Sequence, residues 1–224
     1  MSSSYSNITE DYPIKYEIAL EHFLRLCSKK VYPSKSVIMQ PGDPGDKLLF
    51  IIDGAVSICA EDPDSKQELI LAYLNKYEFI GEIGVFKSTD IRAVTVKSRT
   101  ECHLAEITYA RFHQALSKEL QPYAADLLYL LGLQLAKRLL MTSRNLCNLA
   151  FTDVEGRIAR TLLDLSKGPE AITHPDGMQL HITRQEIARM VGCSREMAGR
   201  VLKALEDKKL ITAHGKTIVV FGTR

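Results

Sequence analysis

The sequence predicts an α+β protein: a small all-β roll or sandwich, then one long helix, then a winged helix-turn-helix. Three observations predict it. Between Ser36 and Ile107, short strand-like runs alternate with turn signals. From Leu128 to Leu149, apolar residues step by three or four along one helical stripe. From Ile182 to Phe221, two short helical patterns are followed by two strand patterns around His214-Gly215-Lys216.

Length and composition bound the answer. A chain of 224 residues has room for one large or two ordinary domains with real cores. With 46% hydrophobic and 25% charged residues, it reads as an ordinary soluble globular protein. Its net charge of +2 becomes informative when divided. Leu180–Arg224 holds nine Lys/Arg and four Asp/Glu, so it carries +5, and the remainder carries −3. A basic C-terminal module on a mildly acidic body suits a surface that meets phosphates. The five cysteines (Cys27, Cys59, Cys102, Cys147, Cys193) are scattered and odd in number, and the six histidines lack metal spacing. Reduced cytoplasmic thiols are expected, with neither a disulfide frame nor a metal site. The greasiest stretch, Leu127–Met141, is interrupted by Gln134, Lys137 and Arg138, so no membrane span is expected.

Taken in order, the polar residues 1–15 lack the apolar core of a signal peptide and are expected to be a disordered lead. Tyr16–Cys27 has helical periodicity. Strand candidates follow at Ser36–Met39, Leu48–Ile52, Val56–Ala60, Glu68–Tyr73, Ala93–Ser98 and Glu101–Ile107. Pro41–Asp46, Asp53-Gly54 and Asp62–Ser65 supply turns, and many short strands at close spacing indicate a roll. A helical region starts at Tyr109–Leu116, which places the roll with its flanking helices at residues 16–121. Pro122 permits a new helix over residues 122–150. Leu128, Leu131, Leu135, Leu139, Thr142, Leu146 and Leu149 make its narrow apolar seam. Such a seam suits a partner helix, so a homodimer is expected. The plainer alternative is a helix lying on the roll's own core. Residues 151–224 form the last domain, with Asp153 capping a helix Val154–Leu165, Lys167–Gly177 as a polar, turn-rich loop and Gln179–Ile182 as a short strand leading into the helical hairpin.

The helical hairpin Ile182–Asp207 carries recognisable start and stop signals. Thr183 with Glu186 has capping-box spacing, Gly192 supplies the turn, and Ser194 can cap the second helix. On that helix Ala198, Val201, Leu202 and Leu205 share one face, whereas Arg195, Glu196, Arg200 and Lys203 share another. Arg forks match guanine O6 and N7, and a carboxylate accepts from cytosine N4, so this front suits a DNA major groove. The plainer alternative is a solvated face with a Glu196–Arg200 i,i+4 ion pair. The two C-terminal strands, Ile211–Ala213 and Thr217–Phe221, add the wing.

A second informative stretch lies inside the roll, at Phe79–Phe86 (FIGEIGVF) with Arg92 shortly after. Gly81 and Gly84 permit close backbone approach, Arg92 can pair with a phosphate, and Glu82 can accept from a sugar hydroxyl. Together they describe a sugar-phosphate site. A turn with a Glu82–Arg92 surface ion pair explains the same residues.

From about Phe23 to Arg224 the chain resembles the bacterial cyclic-AMP receptor protein (catabolite activator) family of dimeric transcription regulators. The resemblance is strongest over Asn148–Arg224. It implies a cyclic-nucleotide-binding β-roll, a long dimer helix and a winged helix-turn-helix. Gly81-Glu82-Ile83 matches the family's phosphate cassette, with Glu82 on the ribose 2′-hydroxyl, and Arg92 matches the arginine on the cyclic phosphate. Arg138 matches a dimer-helix arginine near the ligand. Thr142-Ser143 matches the pair that holds adenine, one residue from each subunit. The next cassette position, usually Ser, is Ala93 here. That removes one hydroxyl contact, at a cost of about 0.5–1.5 kcal/mol for a neutral hydrogen bond. Arg195, Glu196 and Arg200 match the readers of a TGTGA half-site. Arg184 matches a basic residue near DNA, and Thr183, Ser194, Lys203 and His214 match phosphate-contacting positions. Ala171-Ile172-Thr173-His174 resembles the patch that touches RNA polymerase. A second polymerase patch uses two histidines in the family, and Ser28 and Lys30 stand there in this chain.

These readings imply a homodimeric cytoplasmic DNA-binding regulator controlled by cyclic AMP, with no metal, no membrane and no catalysis. Two alternatives remain: the same dimer answering to cyclic di-GMP or to no ligand, and a cyclic-nucleotide-binding module that regulates an enzyme.

Overall fold

The computed structural model describes residues 16–87, 91–168 and 170–223, so the lead expected at 1–15 lies outside the described residues. By its internal contacts the chain forms two units. The first comprises the described residues up to Glu61 with Ile70–Met141; the second comprises Asp62–Leu69 with Thr142–Arg224.

The first unit opens with helix α1 (Glu17–Arg25). Strands β1 (Ser28–Tyr32), β2 (Val37–Met39), β3 (Lys47–Asp53), β4 (Val56–Glu61), β5 (Glu68–Leu74) and β6 (Phe79–Ile80) follow. A four-residue helix α2 (Ile83–Phe86), strands β7 (Thr95–Ser98) and β8 (Cys102–Thr108) and helix α3 (Tyr109–Leu116) come next. The strands build two sheets, in the orders β1-β8-β3-β6 and β2-β7-β4-β5. β3 shows how the core is divided. Successive strand side chains point to opposite faces. Leu49 and Ile51 therefore join Val56, Val96 and Leu104 in one cluster, which draws on both sheets. Leu48 and Phe50 join the cluster under the helices. There the Phe23 ring meets the rings of Phe50, Phe79 and Phe112 edge-on.

A 3-10 turn at Gln121–Tyr123 carries Pro122, and helix α4 then runs from Ala124 to Phe151. Its 28 residues span about 42 Å at the usual rise. The expected apolar seam needs one correction. Leu131 is fully buried and packs with Leu127 and Leu130 in the roll's own core. It has no surface left for a partner, because the first turns of α4 complete the roll. Leu128, Leu139, Leu146 and Leu149 are exposed, and Leu135 is half-buried. The plainer reading thus holds over the first turns of α4, while the later part of the stripe is left exposed.

The second unit contains α5 (Val154–Ser166), β9 (Ile172–His174), β10 (Gly177–His181), α6 (Arg184–Val191), α7 (Arg195–Asp207), β11 (Ile211–His214) and β12 (Thr217–Phe221). Asp153 caps α5, its carboxylate accepting from the Gly156 N–H at 2.8 Å. The wing is larger than a hairpin: the sheet order is β11-β12-β10-β9. The polar stretch read as a loop therefore holds a strand, with His174 opposite Gly177. Ala198, Val201, Leu202 and Leu205 of α7 are all buried, packed with Ile158, Leu162, Ile187 and Ile218.

Candidate functional site

In the roll, edge strand β6 delivers the chain to Gly81, whose φ of +84° suits glycine. A side chain there would meet the Arg92 guanidinium at 2.8 Å and the Tyr109 hydroxyl at 2.9 Å. A side chain at Gly84 would strike the Tyr109 ring. Both glycines therefore admit protein groups, with Tyr109 filling the space between them.

Glu82 is 1% exposed, and its carboxylate pairs with the Arg138 guanidinium. A buried carboxylate requires such a partner, since isolated charge is costly away from water. Arg138 Nη2 also donates to the Phe79 carbonyl at 2.7 Å, while its Nε is buried without a hydrogen-bond partner among the described residues. The Glu82–Arg92 surface pair does not form. Arg92 instead donates from Nη1 to the Tyr109 hydroxyl at 3.0 Å and from Nη2 to the Lys47 carbonyl at 2.5 Å. The Tyr109 hydroxyl donates in turn to the Gly81 carbonyl at 2.6 Å. Burial pushes the Tyr109 pKa above its ordinary value, with Arg92 pulling the other way. The structure thus gathers Gly81, Glu82, Arg92 and Arg138 around one turn. Ile83 and Ala93 are exposed beside it. Thr142 and Ser143 belong to the second unit and are exposed on α4. Tyr109 went unread in the sequence, where it serves only as a helix start 17 residues beyond Arg92.

Such a site can hold a sugar hydroxyl on Glu82, whose carboxylate accepts hydrogen bonds, and an anion on Arg92. For the anion, Arg92 must exchange its bonds to Tyr109 and Lys47.

In the second unit, α6 begins with the expected capping box. Thr183 Oγ1 accepts from the Glu186 N–H at 3.1 Å, and the Glu186 carboxylate accepts from the Thr183 N–H at 2.9 Å. Gly192 ends α6 at φ +68°. Ser194 caps α7 by accepting from the Met197 N–H at 3.1 Å. The two caps differ in what they leave over. The Thr183 hydroxyl proton is committed to Glu186 at 2.7 Å, whereas the Ser194 cap uses only an acceptor lone pair. Arg184, Arg195, Glu196, Arg200, Lys203 and the wing's His214 are exposed. Arg184, Arg195, Arg200 and Lys203, with Glu196 and Glu206, line a concave pocket of about 610 Å³. The Glu196–Arg200 ion pair is present at 3.7 Å, with the side chains 82% and 65% exposed. A pair this long and wet is weak and gives way readily to a stronger partner. On the far edge of the wing sheet, Ile172 and Thr173 are exposed, and Ala171 and His174 are half-buried.

Residues 29–119 match the family model for the cyclic nucleotide-binding domain, and residues 156–221 match that for the Crp-like helix-turn-helix domain. The CRP-like protein Clp of Xanthomonas oryzae pv. oryzae is 51% identical over 205 residues, which cover 92% of this chain and 89% of that protein. The chain belongs to the CRP family of transcription regulators. Among solved structures of CRP-family regulators, it resembles the c-di-GMP responsive global regulator CLP of Xanthomonas campestris. The TM-score is 0.88 at 51% identity, covering 92% of this chain and 99% of that one. A CRP/FNR-family transcriptional regulator from Thermus thermophilus shares the fold, with a TM-score of 0.70 at 24% identity over 87% of this chain and 93% of that one. Glu82, Arg92 and Tyr109 fall within the nucleotide-binding match, and Arg195, Glu196 and Arg200 fall within the helix-turn-helix match. Among the described residues no helix is long and apolar enough to cross a membrane.

Proposed function

We propose that this CRP-family chain works as a homodimer that reads TGTGA-like palindromes and is controlled by cyclic di-GMP held at the Gly81–Glu82 cassette. The observation that carries the ligand is the 51% identity, over 92% of the chain, to a regulator that responds to that dinucleotide. The cassette itself adds support. Both Nη groups of Arg92 are already engaged by the chain, and Ala93 offers no hydroxyl to a phosphate. A phosphate of either nucleotide must displace Tyr109 and Lys47 from Arg92, and the hydroxyl missing at Ala93 weakens the contact that the family's cyclic AMP site would make. The second reading, cyclic AMP at the same cassette, is favoured by one observation: Glu82, Arg92 and Arg138 converge as the family's nucleotide site requires.

Dimerisation is supported by the exposed Leu128, Leu139, Leu146 and Leu149 on one helix, an apolar surface that a second α4 would cover. Two-fold symmetry then matches a palindromic operator. Arg195, Glu196 and Arg200 would read base edges, each good bidentate contact being worth about 1–3 kcal/mol of discrimination. Arg184, Ser194, Lys203 and His214 would hold phosphates, with Thr183 confined to capping. The patch Ala171–His174, with Ile172 and Thr173 exposed, would meet RNA polymerase. The nucleotide controls the protein only by binding one arrangement of the dimer more tightly than another.

Isothermal titration with each nucleotide tests the ligand. Heat with cyclic di-GMP, lost in Arg92→Ala, is the expected result. Heat with cyclic AMP alone selects the second reading, and silence with both nucleotides removes control by either.

A further inference from the structure

We infer that Gln134 is a positioning residue that couples the Gly81–Glu82 cassette to α4, so that nucleotide occupancy alters DNA affinity through it. The inference rests on the reading that the cassette holds the nucleotide.

Gln134 is 6% exposed, on the face of α4 that buries Leu127, Leu130 and Leu131. A polar amide in such surroundings needs partners for both its donor and its acceptor. It finds both on one residue: Gln134 Nε2 donates to the Phe79 carbonyl at 2.7 Å, and the Phe79 N–H donates to Gln134 Oε1 at 2.8 Å. β6 lies at the end of its sheet, with Ile80 opposite Leu49 and Phe79 opposite Phe50. Gln134 therefore stands where a further strand would be, and closes the edge of the sheet with a side chain.

One helical turn later, Arg138 donates to the same Phe79 carbonyl and pairs with Glu82. α4 thus grips the strand at two successive turns, and Glu82 is only three residues beyond Phe79. The two grips are not equivalent. A ligand that draws hydrogen bonds from Glu82 competes for Arg138 and loosens that tie. The hydrogen bonds of the Gln134 side chain go to Phe79 and not to Glu82 or Arg92, so they persist while the cassette rearranges. With Gln134 in place, a shift of the cassette carries α4 with it. Without it, the shift is absorbed by the Arg138 side chain. A buried amide held through both its nitrogen and its oxygen has few good geometries, which suits an element that must move as a block.

The test compares full-length wild type, Gln134→Met and Gln134→Glu. Operator affinity is measured without nucleotide and with saturating cyclic di-GMP or cyclic AMP, beside titration of each nucleotide and a thermal melt. Wild type is expected to change operator affinity about tenfold with its nucleotide. Gln134→Met should bind that nucleotide within about fivefold of wild type, while its operator response falls to about twofold or less. Gln134→Glu keeps an acceptor for the Phe79 N–H and should give an intermediate response. If Gln134→Met does not fold, Gln134→Glu decides by the same comparison. A full response in the folded variants overturns the inference, as does a loss of nucleotide binding equal to the loss of response. A wild type unresponsive to both nucleotides overturns the reading beneath it, and is told apart because no variant is needed to see it.

Discussion

Arg195 and Lys203 lie two turns apart on α7, both exposed, and are expected to do different work. A guanidinium fork can read guanine, whereas an ammonium meets phosphate as a point charge. Arg195→Ala should cost about 1–3 kcal/mol on the operator and relax the preference at one base pair. Lys203→Ala should weaken all duplexes alike and lower the salt slope by about one. Competition binding across single-base operator variants at two salt concentrations separates them, and equal loss of specificity in both contradicts the division. Cys27 gives a pH-dependent check on the roll. Burial pushes its thiol from 9.0 up to about 12. The folded-state value stands above the unfolded one, so its contribution to stability is complete below about pH 9 and is lost as the pH climbs towards 12. Since the thiolate is the reactive form, native protein at about pH 8 should leave Cys27 unalkylated by iodoacetamide, and unfolded protein should not. Labelling of Cys27 in the native protein contradicts this. At this scale Glu82, Arg92 and the α7 front were legible because their chemistry sits in short local patterns. Tyr109 and Gln134 were not. Each acts on a backbone group far away in sequence, and Gln134 looked only like a polar break in a greasy stretch.

Among the elements, α4 is the one whose stripe changes surroundings. Its early leucines complete the roll and its later ones are exposed, a change that spacing alone does not reveal because a core face and a seam for a partner helix have the same period. Leu131→Ala should lower unfolding free energy by about 2–5 kcal/mol, the range for truncating a fully buried leucine, and leave a dimer. Leu146→Glu should release monomers with a folded roll. Denaturant melts and sedimentation at matched concentration distinguish them; a monomeric Leu131→Ala beside a dimeric Leu146→Glu contradicts the assignment. The strands that went unread share a cause. β1 is an edge strand with four exposed residues, β6 has two residues beside a glycine turn, and β9 is short and mostly polar. None carries the alternation or apolar run that marks a buried strand. The capping box, the Ser194 cap and the Asp153 cap were legible because a helix start is written in three or four adjacent residues.

At the scale of the whole molecule, a CRP-family chain joins a nucleotide-binding roll to a DNA-binding unit through one 28-residue helix. The basic surplus lies in the second unit, and the nucleotide cassette lies in the first. Any linkage between the two sites is reciprocal: a nucleotide that changes operator affinity must itself bind with an affinity changed by the operator. The composition and the stripe made this architecture legible, but the ligand was not. A pocket's preference depends on which side chains already occupy it, and the engagement of Arg92 by Tyr109 and Lys47 is visible only in three dimensions. The most direct measurement is fluorescence anisotropy of a TGTGA palindrome titrated with the purified protein, with and without cyclic di-GMP. The account predicts specific binding whose affinity shifts about tenfold with the dinucleotide; an affinity that is the same in its presence and absence, or no preference for the palindrome over random duplex, would contradict it.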